Sequence, residues 1–189
     1  MIILINFVLI GIIRLGSAQL CEQELKKQYL IPDVIKSCDY DLEVVYNGNT
    51  VLNCGDYISF YQTARSPLLK LNVLKKCKYV TLVLFDPDLA MLQGFVHWIV
   101  HNIPTSQIEN GWEKGNMGDT KFSYVPPIAP INSHRYVFLL FCQKNKMVVE
   151  PENKYESGAS RMFFNATQFQ LKHKFQNPLA CNFMEVTLT

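Results

Sequence analysis

The chain has 189 residues, enough for one domain with a sizeable buried core. With 49% hydrophobic and 18% charged residues it has a globular composition, which excludes an intrinsically disordered chain. The net charge is only +2, and the densest basic stretch is Lys75-Lys76 with Lys78, so no nucleic-acid partner is expected.

Residues Ile2 to Ile13 are apolar apart from Asn6 and Gly11, and Arg14, Leu15 and the small residues Gly16-Ser17-Ala18 follow. This is the pattern of a secretory signal peptide, residues 1–18, cut before Gln19. It predicts a secreted, extracellular protein with a single domain over residues 19–189. The leader is too short to cross a bilayer, and no other segment is long and apolar enough, so no transmembrane segment is expected. All six cysteines (Cys21, Cys38, Cys54, Cys77, Cys142, Cys181) follow the leader. An even number in a secreted chain suggests disulfides, but the sequence does not choose among the pairings. Cys142 lies in an apolar run, where a buried free thiol is the competing reading. No CxxC pair suggests structural zinc.

Glu22 to Leu30 reads as a short helix ended by Pro32. Leu42–Tyr46 alternates like a strand and stops at Asn47-Gly48-Asn49, a turn signal. Further strands are expected at Leu69–Val73, Val80–Phe85, Phe95–His101, Tyr136–Gln143 and Phe183–Leu188. Apolar residues on both parities of Tyr136–Phe141 mark a central strand buried on both faces. Thr105–Gly118 reads as a loop, and the prolines of Tyr124–Pro130 exclude a central strand there. Asn165 is placed to cap a helix reaching Phe175, with Gln168 at the capping-box position and Phe164 and Phe169 as a hydrophobic staple. Asn165-Ala166-Thr167 is also an N-glycosylation sequon. The two uses are compatible, because a glycan on the amide nitrogen leaves the carbonyl oxygen free to accept.

Two motifs stand at the ends of apolar runs. Asp86-Pro87-Asp88 closes Val80–Phe85, and His134-Arg135-Tyr136 opens Val137–Phe141. Polar groups there need partners, in the protein or in a ligand. His97, inside Phe95–Val100, is a third candidate. Together an acid, two imidazoles and a phenol would form a small polar pocket. His97 and His101, on one strand, would share a face about 13 Å apart, too far for one ion. His101 then reads as a strand-end residue and His173 as a helix-surface one. Asp88 is expected to accept from nearby backbone N–H groups. Arg135 alternates away from His134 and Tyr136, toward an acid elsewhere.

With these motifs on the page, the chain resembles the phosphatidylethanolamine-binding protein family, which includes the Raf kinase inhibitor proteins. The matching residues are Ile31–Ile35; Leu42, Val44 and Tyr46; Leu82–Leu84 with Asp86-Pro87-Asp88; His97 with Asn102-Ile103; Tyr124; His134-Arg135-Tyr136 with Gln143; and Arg161, Phe164-Asn165, Phe169 and Pro178–Ala180. The leader and cysteines resemble the secreted branch of the family. The resemblance implies a mainly β fold, a large antiparallel sheet packed on a smaller one with peripheral helices. It also implies a surface pocket for small anions, notably the phosphate of phospholipid head groups. Asp86, His97, His134 and Tyr136 would line that pocket, with Pro87, Asp88, Phe95 and Tyr124 supporting it.

The implied function is a secreted, non-enzymatic binding protein for a phospholipid head group or other small phosphorylated anion, acting also on a protein partner. No catalytic residue, metal or cofactor is expected. Two alternatives stand beside it: a protease or kinase inhibitor with a separate protein-binding surface, and a metal-assisted phosphoester hydrolase built on Asp86, His97 and His134. The chain departs from the family pattern in four places. Leu89-Ala90-Met91 stand where Ala-Pro and a basic residue are usual. Phe95-Val96 stand where Trp-His is frequent. The loop over residues 125–133 lacks glycine, and little chain follows Phe183 to form a C-terminal helix. These departures predict a more open pocket with an altered ligand preference.

Overall fold

The structure, a computed structural model, describes residues 18–72, 77–89, 94–127, 132–150 and 158–187. The expected leader up to residue 17, the departures at Ala90-Met91, and residues 128–131 of the glycine-free loop lie outside the described residues.

In chain order the strands are β1 (Tyr40–Asp41), β2 (Glu43–Tyr46), β3 (Thr50–Leu52), β4 (Asp56–Ser59), β5 (Leu68–Lys70), β6 (Tyr79–Asp86), β7 (Phe95–Pro104), β8 (Asp119–Phe122), β9 (His134–Gln143) and β10 (Ala180–Thr187). The α-helices are α1 (Ala18–Lys27), α2 (Thr105–Asn110) and α3 (Ala166–Lys172). A seven-stranded sheet runs β1-β10-β9-β6-β7-β8, with β4 also paired to β10, and a three-stranded sheet runs β3-β2-β5. The large sheet is mixed. β6, β7, β8, β9 and β10 pair antiparallel, while the short β1 and β4 share the outer edge of β10 in parallel.

The apolar runs of β6 and β9 follow from this order. Both strands are central, and alternate residues feed two cores. Leu82, Leu84, Tyr136, Phe138 and Leu140 pack toward the small sheet with Val44, Tyr46 and Leu69. Val83, Phe85, Val137, Leu139 and Phe141 pack on the opposite face with Leu25, Ile35 and Ala166. A helix and a sheet thus cover the two sides of one buried layer.

The expected strands on β2, β5, β6, β7, β9 and β10 are present, with shifted ends. The strand expected at Leu69–Val73 is Leu68–Lys70. Thr105–Gly118 is not all loop, because α2 fills its first six residues and buries Ile108. The short strands β1, β3, β4 and β8 carry too few residues for a periodic signal. Asn165 caps α3 as expected, its side chain accepting from Gln168 N–H at 2.9 Å. Phe164 and Phe169 meet with ring centroids 5.6 Å apart.

The six cysteines form Cys21–Cys54, Cys38–Cys181 and Cys77–Cys142. The free-thiol reading of Cys142 is overturned, since no cysteine is free. Cys21–Cys54 ties α1 to the β3–β4 turn, and Cys38–Cys181 ties the segment after α1 to β10. No described helix is long and apolar enough to cross a membrane.

Cys38–Cys181 closes the longest loop, a sequence separation of 143 residues. A Cys38→Ala/Cys181→Ala variant should lose about 2–5 kcal/mol of stability, read from urea unfolding against the oxidised wild type. An unchanged midpoint would show that the bond does not constrain the unfolded chain.

Candidate functional site

β6 and β9 pair antiparallel from Tyr79↔Gln143 to Phe85↔Val137. The end of β6 therefore meets the start of β9, and Asp86 lies beside His134. Asp86 is 1% exposed. Its Oδ1 accepts from the N–H groups of Asp88 at 2.7 Å and Leu89 at 3.2 Å, which forms the Asp-Pro turn. Its Oδ2 accepts from His134 Nδ1 at 2.7 Å. One carboxylate thus shapes the loop and orients an imidazole. Burial pushes the Asp86 carboxyl up from its ordinary range, and the hydrogen bond and charge of His134 pull the other way. The His134 side chain is 11% exposed.

Asp88 has a different task. Its Oδ2 accepts from the Arg135 backbone N–H at 2.9 Å and from Nε at 2.7 Å, and its Oδ1 pairs with Nη2. Arg135 also donates to the Gln28 carbonyl behind α1. Burial acts to raise the Asp88 carboxyl, but the hydrogen bonds and charge of Arg135 outweigh it and hold the group below its usual range. Arg135 thus finds the acid that its alternation required, on the far side of the sheet from His134 and Tyr136. Pro87 joins the two aspartates and carries both on one tight turn.

His97 reaches the cluster through a β-bulge. β6 and β7 pair Leu84↔Trp98 and then Phe85↔Val96, so His97 is an extra residue without a partner on β6. The bulge turns its ring toward β9, where it meets Tyr136 edge-on with centroids 5.1 Å apart. Phe95 packs on its other side at 4.9 Å. From Trp98 to Val100 the alternation is regular, and the second shift, between Val80↔Ile103 and Leu82↔Val100, falls beyond Val100, so the parity changes once between the two histidines. His97 and His101 therefore lie on opposite faces, which corrects the expectation that they share one.

Val125 holds His97 at both ends. Its N–H donates to the His97 carbonyl at 2.9 Å, and its carbonyl accepts from His97 Nδ1 at 2.9 Å. A carbonyl only accepts, so the proton of the neutral ring sits on Nδ1. His97 is 5% exposed. Burial, with the Arg161 charge nearby, brings it down to about 4 despite the carbonyl hydrogen bonds.

Tyr136 is fully buried, with its ring edge-on to His97. Tyr124 lies farther back than a pocket wall. Its hydroxyl donates to the Thr63 carbonyl at 2.7 Å and lies 3.3 Å from that of Tyr46, and its ring meets Trp98. It anchors the segment that presents Val125 to His97. Two supports lie outside the residues expected at the site. Arg161, 4% exposed, donates through Nη1 to the carbonyls of Val96 at 3.3 Å and His97 at 3.1 Å, at the bulge. Gly94, with φ +101°, lets the Phe164 carbonyl approach to where a Cβ would lie 2.3 Å from its oxygen.

The four candidate residues are thus brought together in two linked pairs, Asp86 with His134 and His97 with Tyr136, on the face that looks toward the small sheet. Both oxygens of Asp86 and the Nδ1 atoms of both histidines are occupied within the protein, so the imidazole Nε2 positions are the groups that could meet a ligand.

Comparison with known proteins gives this arrangement its context. The sequence pattern of the family "Phosphatidylethanolamine-binding protein" matches residues 44–186. The chain belongs to that family. A relative, the 26 kDa secreted antigen of Toxocara canis, is 29% identical over 170 residues, covering 82% of this chain and 59% of that protein. The phosphatidylethanolamine-binding protein of Plasmodium vivax superposes with a TM-score of 0.75 at 21% identity, over 88% of this chain and 97% of that one. A carboxypeptidase Y inhibitor, solved in complex with its cognate proteinase, superposes with a TM-score of 0.70 at 20% identity, over 93% of this chain and 98% of that one. Both structures share the mixed β fold described above.

Two outcomes follow from the site's geometry. His97 has an unfolded value near 6.5 and a folded value of about 4, so the unfolded chain binds more protons between these pH values. Its contribution, up to about 3 kcal/mol, is complete above pH 6.5 and is lost as the pH falls toward 4. In NMR the His97 ring should not titrate between pH 8 and 5, and a midpoint near 6.5 would contradict its burial. Gly94→Ala must strain a positive φ and displace the Phe164 backbone, so thermal unfolding should fall by several degrees. An unchanged melting temperature would refute the close approach.

Proposed function

We propose that this chain is a secreted binding protein whose Asp86–His134 and His97–Tyr136 cluster receives a small phosphorylated anion, such as a phospholipid head group. The observation that carries this reading is the buried 2.7 Å bond from His134 Nδ1 to Asp86 Oδ2. It fixes the imidazole with Nε2 directed away from the acid, where an imidazolium Nε2–H would donate to a phosphate oxygen. Phe95 and Tyr136 supply an apolar frame in which such a bond is strengthened.

Secretion is supported by the signal-like leader, by the three disulfides and by the likeness to a secreted antigen. On this reading Asn165 carries a glycan on Nδ2 while its Oδ1 keeps capping α3, and the residue is exposed. Metal-assisted hydrolysis at the same residues is disfavoured, because Asp86 has both oxygens committed to N–H donors. One observation favours a second reading. The fold likeness to a proteinase-bound inhibitor extends over nearly the whole of both chains, which suits regulation of a protein partner through another surface.

The test is a thermal-shift titration of the disulfide-bonded protein with phosphate and with phosphorylethanolamine. A ligand that binds only the folded state raises stability, by about 2.7 kcal/mol at a hundred times its Kd. The expected outcome is a dose-dependent rise that His134→Ala reduces strongly. No rise in a folded wild type would turn the assignment toward the protein-partner reading.

A further inference from the structure

Asn182 lies at the other end of β10 from Val186, the residue that pairs with His134. The outer edge of β10 is shared by β1, whose pairs end at Asp41↔Cys181, and β4, whose pairs begin at Asp56↔Met184. Asn182 and Phe183 fall between these two ladders. Here the chain also leaves the large sheet after Asp41 and enters the small sheet at Glu43. A cavity of about 610 Å³ lies at this seam, lined in part by the Cys21–Cys54 disulfide.

Two buried oxygens of the lining, Asp41 Oδ1 and Asn182 Oδ1, meet no hydrogen-bond donor among the described residues. Asn182 is 3% exposed. Its Nδ2 donates to the Leu42 carbonyl at 2.8 Å and to the Leu52 carbonyl at 3.3 Å. A carbonyl only accepts, so the amide has one orientation and Oδ1 is the atom left over. Burial pushes the Asp41 carboxyl up from its ordinary range, and a backbone hydrogen bond from Cys21 acts the other way. Among the described residues no cation pairs with Asp41. Glu43 and Lys70 are register partners across β2 and β5, and Glu24 pairs with Lys27. Those charges offset, so Asp41 sets the sign of the cavity. A buried acceptor without a donor is costly, and a ligand that brings both N–H groups and positive charge answers both needs.

We propose that this cavity binds a small organic molecule carrying a protonated primary amine, with Asp41 Oδ1 and Asn182 Oδ1 as its acceptors. The volume suits a small molecule. Leu42, Leu52 and Leu71 give the lining buried apolar surface, and Tyr40 adds an exposed ring, so an amine with an apolar body fits. A primary ammonium offers three N–H donors and one positive charge, like that of a lysine side chain. A calcium ion instead takes about six to eight oxygens. Among the described residues no group of three His, Cys, Asp or Glu side chains gathers to hold a metal. A quaternary ammonium has the charge but no N–H, and leaves both oxygens unserved.

The experiment is calorimetric titration of the disulfide-bonded protein with phenethylamine in an amine-free buffer at neutral pH. Trimethyl(phenethyl)ammonium and calcium chloride are titrated separately. One equivalent of phenethylamine is expected to bind, and the quaternary analogue should bind at least about tenfold more weakly. Asp41→Asn keeps the side chain's shape and its acceptor for Cys21, and should weaken phenethylamine about tenfold. His134→Ala should leave binding unchanged. The proposal is overturned if folded wild type shows no saturable binding below roughly 10 mM phenethylamine, which would leave the two oxygens to water. Equal affinity for the quaternary analogue, or an undiminished affinity in Asp41→Asn, overturns it as well. Saturable calcium binding without amine binding would assign the cavity to a metal ion, and loss with His134→Ala would move the amine to the other cluster; either result overturns the proposal.

Discussion

The antiparallel pairing of β6 with β9 is the contact on which the rest of the molecule depends. Its register, from Tyr79↔Gln143 to Phe85↔Val137, buries both strands on both faces and sets the two cores back to back. The same register brings Asp86 to His134 at one end and Thr81 near Gln143 at the other. A slip of one residue would move every side chain of a strand to the wrong face. It would break both polar networks along with the packing, so fold and site share one constraint.

β7 uses irregularity where β6 and β9 use regularity. Its two register shifts fall next to its two histidines. The first delivers His97 to Tyr136 and the small-sheet side. Regular alternation from there to Val100 leaves His101 on the α3 side, against Phe169 and His173. A regular strand would place both rings on one face. Arg161 satisfies carbonyls at the first shift, and the Gln143 side chain accepts from the Asn102 backbone N–H at the second. Buried polar side chains thus replace the ladder bonds that the bulges remove.

The two histidines of the site are held on one principle. In each, the ring's Nδ1 is tied to an acceptor fixed by the fold: Asp86 for His134, Val125 for His97. Tying Nδ1 chooses the tautomer and holds the ring plane, so the chemistry left to Nε2 is decided before any ligand arrives. The disulfides work at longer range. They tie α1, the β3–β4 turn and the segment after α1 to each other and to β10, where β1 and β4 are too short to hold an edge alone.

Much of this was legible in the residues themselves. Apolar runs on both parities marked the central strands, Asn165 and Gln168 marked the start of α3, and the Asp86-Pro87-Asp88 and His134-Arg135-Tyr136 motifs marked two strand ends that carry polar groups. These are local signals, written in neighbouring side chains. Register, bulges and partners between distant segments are not local. Periodicity placed His97 and His101 on one face because a bulge leaves no mark in hydrophobic alternation. It left α2 in a loop because six residues make too short a pattern. The cysteine pairing, the clasp of Asp88 on Arg135 and the anchoring of Tyr124 behind the site were all decided by the tertiary structure. Each joins residues tens of positions apart, and only the packed sheet brings their atoms within bonding distance.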